Sequence, residues 1–222
     1  MESNSSDIPT LPAGVTWLID GSARSTAAHQ LVLHQLEADR GQVLWIDARD
    51  IASTYTFYPL AARTHQLSAI QIARAWTAYQ HHTLVRHAVE RASARTRLIV
   101  VPHVCSLYRD DDLDAHEADQ LLGASLQTLS ALATALSLPV LMTAPQQERS
   151  TLASTVDHEL QCESTDYGYA FRGEDFQTTV YHERHWWQTT IPYWVELLGA
   201  VQSGEVDTWT AIAAHTGLET FA

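Results

Sequence analysis

Leu98-Ile99-Val100-Val101 is a run of four apolar residues that ends at Pro102. A strand that is apolar at every position is typical of a parallel sheet covered on both faces. Strand and helix patterns alternate on either side of this run. Strands are predicted at 15–20, 43–47, 70–73, 98–101 and 139–143, and helices at 23–38, 79–94 and 115–136. This alternation predicts an α/β fold, doubly wound, with a mostly parallel sheet and helices on both faces.

The two ends of the chain have different patterns. Residues 1–14 are polar and acidic and are predicted to form a flexible tail. From about residue 157 the pattern changes to alternation, and 158–163 and 176–182 flank a turn-rich segment at 167–173. This predicts a β-hairpin or meander extension, followed by helices at 191–201 and 207–215. We therefore expect a single domain over 15–222, with its core at about 15–150 and its C-terminal extension at about 157–222.

The charge balance limits the chemistry that the chain can perform. It carries 13 basic and 26 acidic residues, a net charge of −13, and every basic residue is an arginine. Without lysine there is no P-loop lysine, Schiff base or Ser-Lys dyad. The acidity argues against coating nucleic acid by bulk charge, and it also suggests a salt-adapted, halophilic protein. Compositional drift would explain the same bias.

The sequence shows no secretory signal and no apolar run of the ~18 residues that a membrane span requires. We therefore expect a cytoplasmic protein with no membrane partner. Cys105 and Cys162 are predicted to be reduced thiols.

The turn after the first strand is where a nucleotide-binding loop would lie. A P-loop needs G-x-x-x-x-G-K-[ST], whose backbone N–H groups, lysine and hydroxyl hold phosphates and Mg²⁺. Here the segment is Gly21-Ser22-Ala23-Arg24-Ser25-Thr26, which is shortened and lacks the second glycine. By itself it is an ordinary strand-to-helix turn.

Five further segments occur in the order found in RecA-superfamily recombinases, and the chain resembles archaeal RadA and its short paralog RadB. They are the strand Val43-Leu44-Trp45-Ile46-Asp47-Ala48-Arg49, then Ile72-Ala73-Arg74-Ala75-Trp76, then Tyr79-Gln80-His81-His82-Thr83-Leu84, then 98–104 with Tyr108-Arg109, and finally 138–146. The resemblance covers about residues 15–150 and implies a RecA-like core. The family's N-terminal helix-hairpin-helix domain has no counterpart here.

Three positions depart from what the resemblance implies. Arg24 stands at the lysine position, and its planar guanidinium does not fit a site built for a compact ammonium. The catalytic glutamate falls at Arg49, which cannot act as a base, and the Walker B aspartate falls at Pro102, which offers no metal ligand. We therefore expect no enzyme activity, no cofactor and no bound nucleotide at the degenerate positions, which include Gly21 and Ser25. Asp47 is interpreted as structural.

The resemblance and its departures together suggest a catalytically inactive paralog that binds other proteins. Its expected role is accessory, in homologous recombination or DNA repair, through a recombinase, a sister paralog or further copies of itself. A pseudo-ATPase subunit of a KaiC-like signalling or motility complex is the alternative, and a degenerate site that still binds ATP is a third. Expected partner-binding residues are Tyr55, Phe57, Tyr58, Trp186 and Trp187, because aromatic rings are enriched at interface hot spots.

Weaker patterns point to other chemistry. The twelve histidines include His81-His82 and the pairs His29/His34 and His182/His185, but no metal motif, so no metal is expected.

Trp186 and Trp187 also suit core packing or stacking on single-stranded bases. Asp110-Asp111-Asp112 lies where the family binds DNA and would repel phosphate, so direct DNA contact is expected to be weak. Arg86, Arg91, Arg95 and Arg97 are interpreted as a solvated helix face, with a patch for nucleic acid or an acidic partner as the alternative. Gln188, Ile191, Trp194 and Val195 have the spacing of a clamp-binding box, but a core amphipathic helix is the preferred interpretation.

Overall fold

The chain alternates strands and helices over most of its length, as the computed structural model shows. The structure describes residues 8–20, 25–38, 40–111, 113–166, 168–174, 176–178, 180–183 and 186–189. Residues 8–177 form one compact unit, and residues 178–222 with 1–7 form a second. The helices predicted at 191–201 and 207–215, and the clamp-box residues from 191 onward, lie outside the described residues.

The larger unit contains seven strands and five α-helices. The strands are β1 Gly14–Asp20, β2 Gln42–Ala48, β3 Ile70–Ala75, β4 Thr96–Val101, β5 Pro139–Thr143, β6 His158–Thr165 and β7 Gly168–Arg172. The helices are α1 Ala27–Ala38, α2 Thr54–Leu60, α3 Ala78–Arg91, α4 Ala115–Leu136 and α5 Arg149–Leu152. In the smaller unit, β8 Val180–Glu183 pairs antiparallel with β9 Trp186–Thr189.

The sheet has the order β3-β2-β4-β5-β1-β6-β7, and all neighbours are parallel except β6 and β7. From β1 to β3 the chain moves towards one edge of the sheet, and from β3 to β6 it moves back. Because crossovers are right-handed, the reversal places the helices before and after it on opposite faces. The prediction of an α/β fold with a mostly parallel sheet is confirmed.

Alternate residues of each buried strand pack into two apolar clusters. Leu31 of α1 and Phe57 of α2 lie in the cluster that contains Val43, Leu98 and Val100. Val85 of α3 and Leu122 of α4 lie in the other, with Ile99 and Val101. Since successive side chains of a strand point to opposite faces, β4 must be apolar throughout to serve both clusters.

Part of the predicted flexible tail belongs to the larger unit. Leu11 is buried, and its backbone N–H donates to Oε1 of Gln35 on α1 at 3.2 Å. Residues from Ile8 on therefore pack against the larger unit, and only 1–7 of the predicted tail lie outside the described residues.

The C-terminal hairpin forms with a different partner from the one predicted. β6 pairs with β7, from Gln161 opposite Arg172 to Thr165 opposite Gly168. Only two residues separate the paired ends, and Gly168 has φ of 127°, a conformation that glycine accepts without strain. The segment predicted to pair at 176–182 instead contributes β8, which pairs with β9.

Tyr55 and Phe57, which lie outside the predicted strands and helices, belong to the helix α2. Ser53 caps it, with its side chain accepting a hydrogen bond from the backbone N–H of Tyr55 at 3.2 Å. Seven residues that include Pro59 show too little of the helical period to be recognised in the sequence.

Candidate functional site

A cavity of about 400 Å³ lies at the carboxyl ends of β1, β4 and β5. Its wall includes Asp20 at the end of β1, Ser25 just before α1, Pro102 and His103 after β4, and Gln146 after β5. Ligand sites of open α/β sheets lie at this edge, because loops there converge from several strands. The structure therefore brings Ser25 and Pro102 to one cavity, whereas Gly21 and Arg24 lie outside the described residues.

The loop after β2 turns sharply and carries Arg49. Arg49 and Asp50 both have left-handed backbone conformations, with φ of 68° and 56°. Arg49 donates through Nη2 to the carbonyl of Ser106 at 3.0 Å and forms an ion pair with Asp110. Arg49 is thus a cation held by the loop that follows β4, and a guanidinium cannot act as a general base.

Asp47 explains how this strained turn is held. Its side chain is fully buried, and Oδ1 accepts hydrogen bonds from the backbone N–H groups of Ile51 and Ala52 at 3.0 and 3.1 Å. Arg74 approaches Oδ2 at 3.4 Å. Burial raises the pKa of Asp47, and the hydrogen bonds from Ala52 and Ile51 oppose that shift. Both oxygens are used within the fold, which supports the structural interpretation of this carboxylate.

The β4 end of the cavity offers no carboxylate. Pro102 is buried and has no ligand atom, and the next residue, His103, has a left-handed φ of 51°. The backbone N–H of His103 donates to Oγ1 of Thr143 at 2.8 Å, which ties the ends of β4 and β5 together. Burial lowers the pKa of His103, while the charges of Asp47 and Asp20 oppose that effect. The imidazole of His103 therefore lies beside Pro102 at the carboxyl end of β4, in the wall of the cavity.

His29 on α1 also borders the cavity, and no sequence pattern singled it out except as a possible partner of His34. It is only 2% exposed, and its ring lies 4.9 Å from Trp45 and 4.7 Å from Phe57, measured between centroids. Neither ring nitrogen has a hydrogen-bond partner. Burial lowers the pKa of His29 to about 4, and the backbone of Ile51 opposes this to a smaller extent. His29 is a neutral part of the aromatic core.

No model of a known family matches this chain, and no similar curated protein is found. Among the described residues, no group of three or more His, Cys, Asp or Glu side chains could hold a metal ion. No described helix combines the length and apolar character that crossing a membrane requires. The chemistry of the cavity must therefore be argued from its own side chains.

The three aromatic residues proposed on α2 separate into two groups. Tyr55 and Tyr58 are 90% and 59% exposed, and they lie three residues apart on one side of the helix. Phe57 is 3% exposed and contacts the ring of Trp45, with centroids 5.4 Å apart. The prediction that Phe57 belongs to an exposed partner surface is therefore wrong, because the helical turn directs it into the core. Partner binding by Tyr55 and Tyr58 stays a prediction.

Two other exposed aromatic rings were not predicted from the sequence to bind a partner. Trp76, just after β3, is 60% exposed, and Tyr79 in the first turn of α3 is 50% exposed. Trp186 and Trp187 lie in β9, opposite Glu183 and His182 of β8. The helix predicted to follow them at 191–201 lies outside the described residues. The partner-binding role of Trp186 and Trp187 stays a prediction.

The acidic loop after β4 is held by arginines. Asp110 pairs with Arg49, while Arg109 donates to both carboxylate oxygens of Glu148, at 3.0 and 2.9 Å, and to Asp119 at 2.9 Å. The hydrogen bond from Arg109 is the main cause that lowers the pKa of Glu148. These ion pairs use the positive charges of the loop within the fold, so the loop presents no spare cation to a phosphate.

Proposed function

We propose that this protein is a RecA-like paralog that has lost ATP hydrolysis and acts in the cytoplasm as a protein-binding accessory factor in homologous recombination or DNA repair. The observation that carries the proposal is the ion pair between Arg49 and Asp110. It joins the catalytic-glutamate position to the loop after the Walker B position. The side chain at the catalytic-glutamate position is therefore engaged in a contact within the fold.

Hydrolysis of a phosphoanhydride needs a group that positions water and a cation that neutralises developing charge. Arg49 cannot accept a proton, and Pro102 cannot ligate Mg²⁺. Asp47 is buried, and its oxygens already accept backbone hydrogen bonds. These three features support the proposal that the cavity, although it lies at the carboxyl ends of the strands, does not hydrolyse ATP.

Binding to a recombinase or a sister paralog is the role that remains for such a fold. The resemblance implies protomers that pack side by side, with the nucleotide site near the junction. A paralog can keep the packing surface after the chemistry is lost. Exposed rings support an interface here, since Tyr55 and Tyr58 present two aromatic anchors on one side of α2. The recombination role itself rests on analogy with the family.

The loss of nucleotide chemistry is tested with ATP, ADP and Mg²⁺ on the full chain. Calorimetry should show no Mg-dependent binding near micromolar, an affinity worth about −8 kcal/mol that needs direct phosphate contacts. An ATPase assay should show no turnover above buffer. Micromolar Mg-ATP binding without turnover would instead support a degenerate site that still binds ATP, and turnover would refute the proposal.

Partner binding is tested by pull-down from the native host, followed by identification of recombinase or paralog subunits. Tyr55→Ala combined with Tyr58→Ala should weaken capture, whereas Trp76→Ala, which removes an equally exposed ring outside α2, should not. Circular dichroism of both variants should match the wild type. Capture of signalling or motility proteins in place of recombination proteins would favour the KaiC-like alternative.

A further inference from the structure

Eight arginines of the larger unit form two groups, one with ion pairs near the carboxyl ends of the strands and one near the amino ends. Arg49, Arg74, Arg109 and Arg149 each form an ion pair, and all four lie on segments that follow the carboxyl ends of strands or, for Arg74, near the end of β3. A second group lies near the amino ends of β2, β3 and β4. It consists of Arg40, Arg63, Arg91 and Arg95, all exposed and, in the part of the chain that the structure describes, without a carboxylate within 4 Å.

Short connections hold this second group together. The backbone N–H of Gln42, two residues after Arg40, donates to the carbonyl of Arg95 at 2.8 Å. Gly41 permits this approach, because a Cβ atom there would lie 2.5 Å from the Arg95 carbonyl oxygen. Arg91, at the end of α3, reaches Gln71 at the start of β3 at 3.5 Å. The basic edge, defined as Arg40, Arg63, Arg91 and Arg95, thus spans the starts of three neighbouring strands.

Arg40 and Arg63 line one open groove of about 680 Å³, together with His65 and Gln66. Glu37 is the carboxylate in its wall, and it accepts a hydrogen bond from Nε2 of Gln66 at 3.3 Å. Glu90, next to Arg91, is exposed. Arginines therefore outnumber the described carboxylates at this edge, although the whole chain carries a net charge of −13.

The chemistry of the groove favours phosphate over an acidic protein. None of its lining residues is phenylalanine, tyrosine or tryptophan, and the exposed rings of Tyr55, Tyr58, Trp76 and Tyr79 lie outside it. Protein interfaces gain affinity from buried apolar and aromatic anchors, and single-strand sites from stacked bases, neither of which this groove offers. Guanidinium groups alone suit the phosphodiester backbone, which they can contact with two parallel hydrogen bonds.

We propose that the basic edge binds the phosphate backbone of duplex nucleic acid without sequence preference. The inference does not rest on the loss of ATP hydrolysis proposed above, because the basic edge and the cavity lie at opposite edges of the sheet. Four phosphate contacts predict that log K falls with log salt with a slope of about −3.6, which is about 0.9 per contact.

The test measures fluorescence anisotropy of a labelled duplex of mixed sequence as salt rises from about 50 to about 200 mM. Arg91→Ala combined with Arg95→Ala should reduce affinity at least about tenfold and bring the slope to about −1.8. Arg149→Ala combined with Arg172→Ala removes the same charge elsewhere and should leave both values unchanged. Circular dichroism at each salt concentration checks that all three proteins stay folded.

Three outcomes would overturn the proposal. The wild type does not bind the duplex at the lowest salt, the two double variants lose affinity equally, or poly-glutamate at equal charge displaces the duplex as well as unlabelled DNA does. The last result would assign the basic edge to an acidic protein. None of them depends on the ATP or pull-down results.

Discussion

Acidification should destabilise this protein through His29, which is buried and neutral. Its folded pKa of about 4 lies below its ordinary value of 6.5, so the unfolded chain binds the proton more readily. A histidine with a depressed pKa contributes stability that is fully present above pH 6.5 and is lost as the pH falls towards 4. Phenylalanine at this position would keep the contacts with Trp45 and Phe57 and could not titrate.

The size of the effect follows from the two pKa values. When the pH falls from about 7.5 to 5, the depressed pKa of His29 lowers the free energy of unfolding by about 2 kcal/mol. His81 has the same depressed pKa of about 4 and adds a similar loss. The raised pKa of Asp47 acts with the opposite sign, because the folded state then binds the proton more readily. A comparison of variants at two pH values isolates His29 from these other groups.

The assay is urea unfolding at both pH values, followed by the fluorescence of the buried Trp17 and Trp45. His29→Phe should lose about 2 kcal/mol less than the wild type on acidification. His65→Phe places the same substitution at an exposed histidine and serves as the matched control. Equal acid losses in the wild type and His29→Phe would refute the reasoning, whatever the absolute stability of the variant.

Three further changes should have distinct effects on stability. Phe57→Ala should cost about 3–5 kcal/mol by urea unfolding, whereas Tyr55→Ala should stay within about 0.5 kcal/mol of the wild type; similar losses would place both rings in the core. Tyr108→Phe should cost about 1–3 kcal/mol in the same assay, because its hydroxyl links His81 and Ser125 at 2.8 and 2.9 Å; no loss would show that the buried link contributes nothing. The melting temperature should rise from dilute buffer to molar salt, since the net charge of −13 repels itself, and an unchanged value would remove support for salt adaptation.

The sequence alone predicted most of the regular elements, because their signals are local. The helix α4 was predicted at 115–136 and spans Ala115–Leu136, since its apolar period is long and Asp114 caps its first turn. The strand β5 was predicted at 139–143 and is Pro139–Thr143. Apolar runs and alternation identify strands within a few residues, and the succession of elements then leads to the α/β class.

Elements with weak local signals were predicted less well. α2 is short and contains Pro59, so its helical turn, which buries Phe57 and exposes its neighbours, could not be read from seven residues. β6 pairs with β7 rather than with 176–182, and only two residues separate the paired ends of β6 and β7. Several pairings fit the same alternating pattern.

The candidate sites depended on contacts between residues far apart in the chain. Arg49 and Asp110 are 61 residues apart, and the sequence gives no sign that they form an ion pair. The segments that carry Arg40 and Arg95 lie side by side only because β2 and β4 are neighbours in the sheet. In the chain, β3 and α3 separate these segments. Local spacing determines the elements, whereas only the order of strands in the sheet brings charged groups to the same edge, and that order is a property of the folded chain.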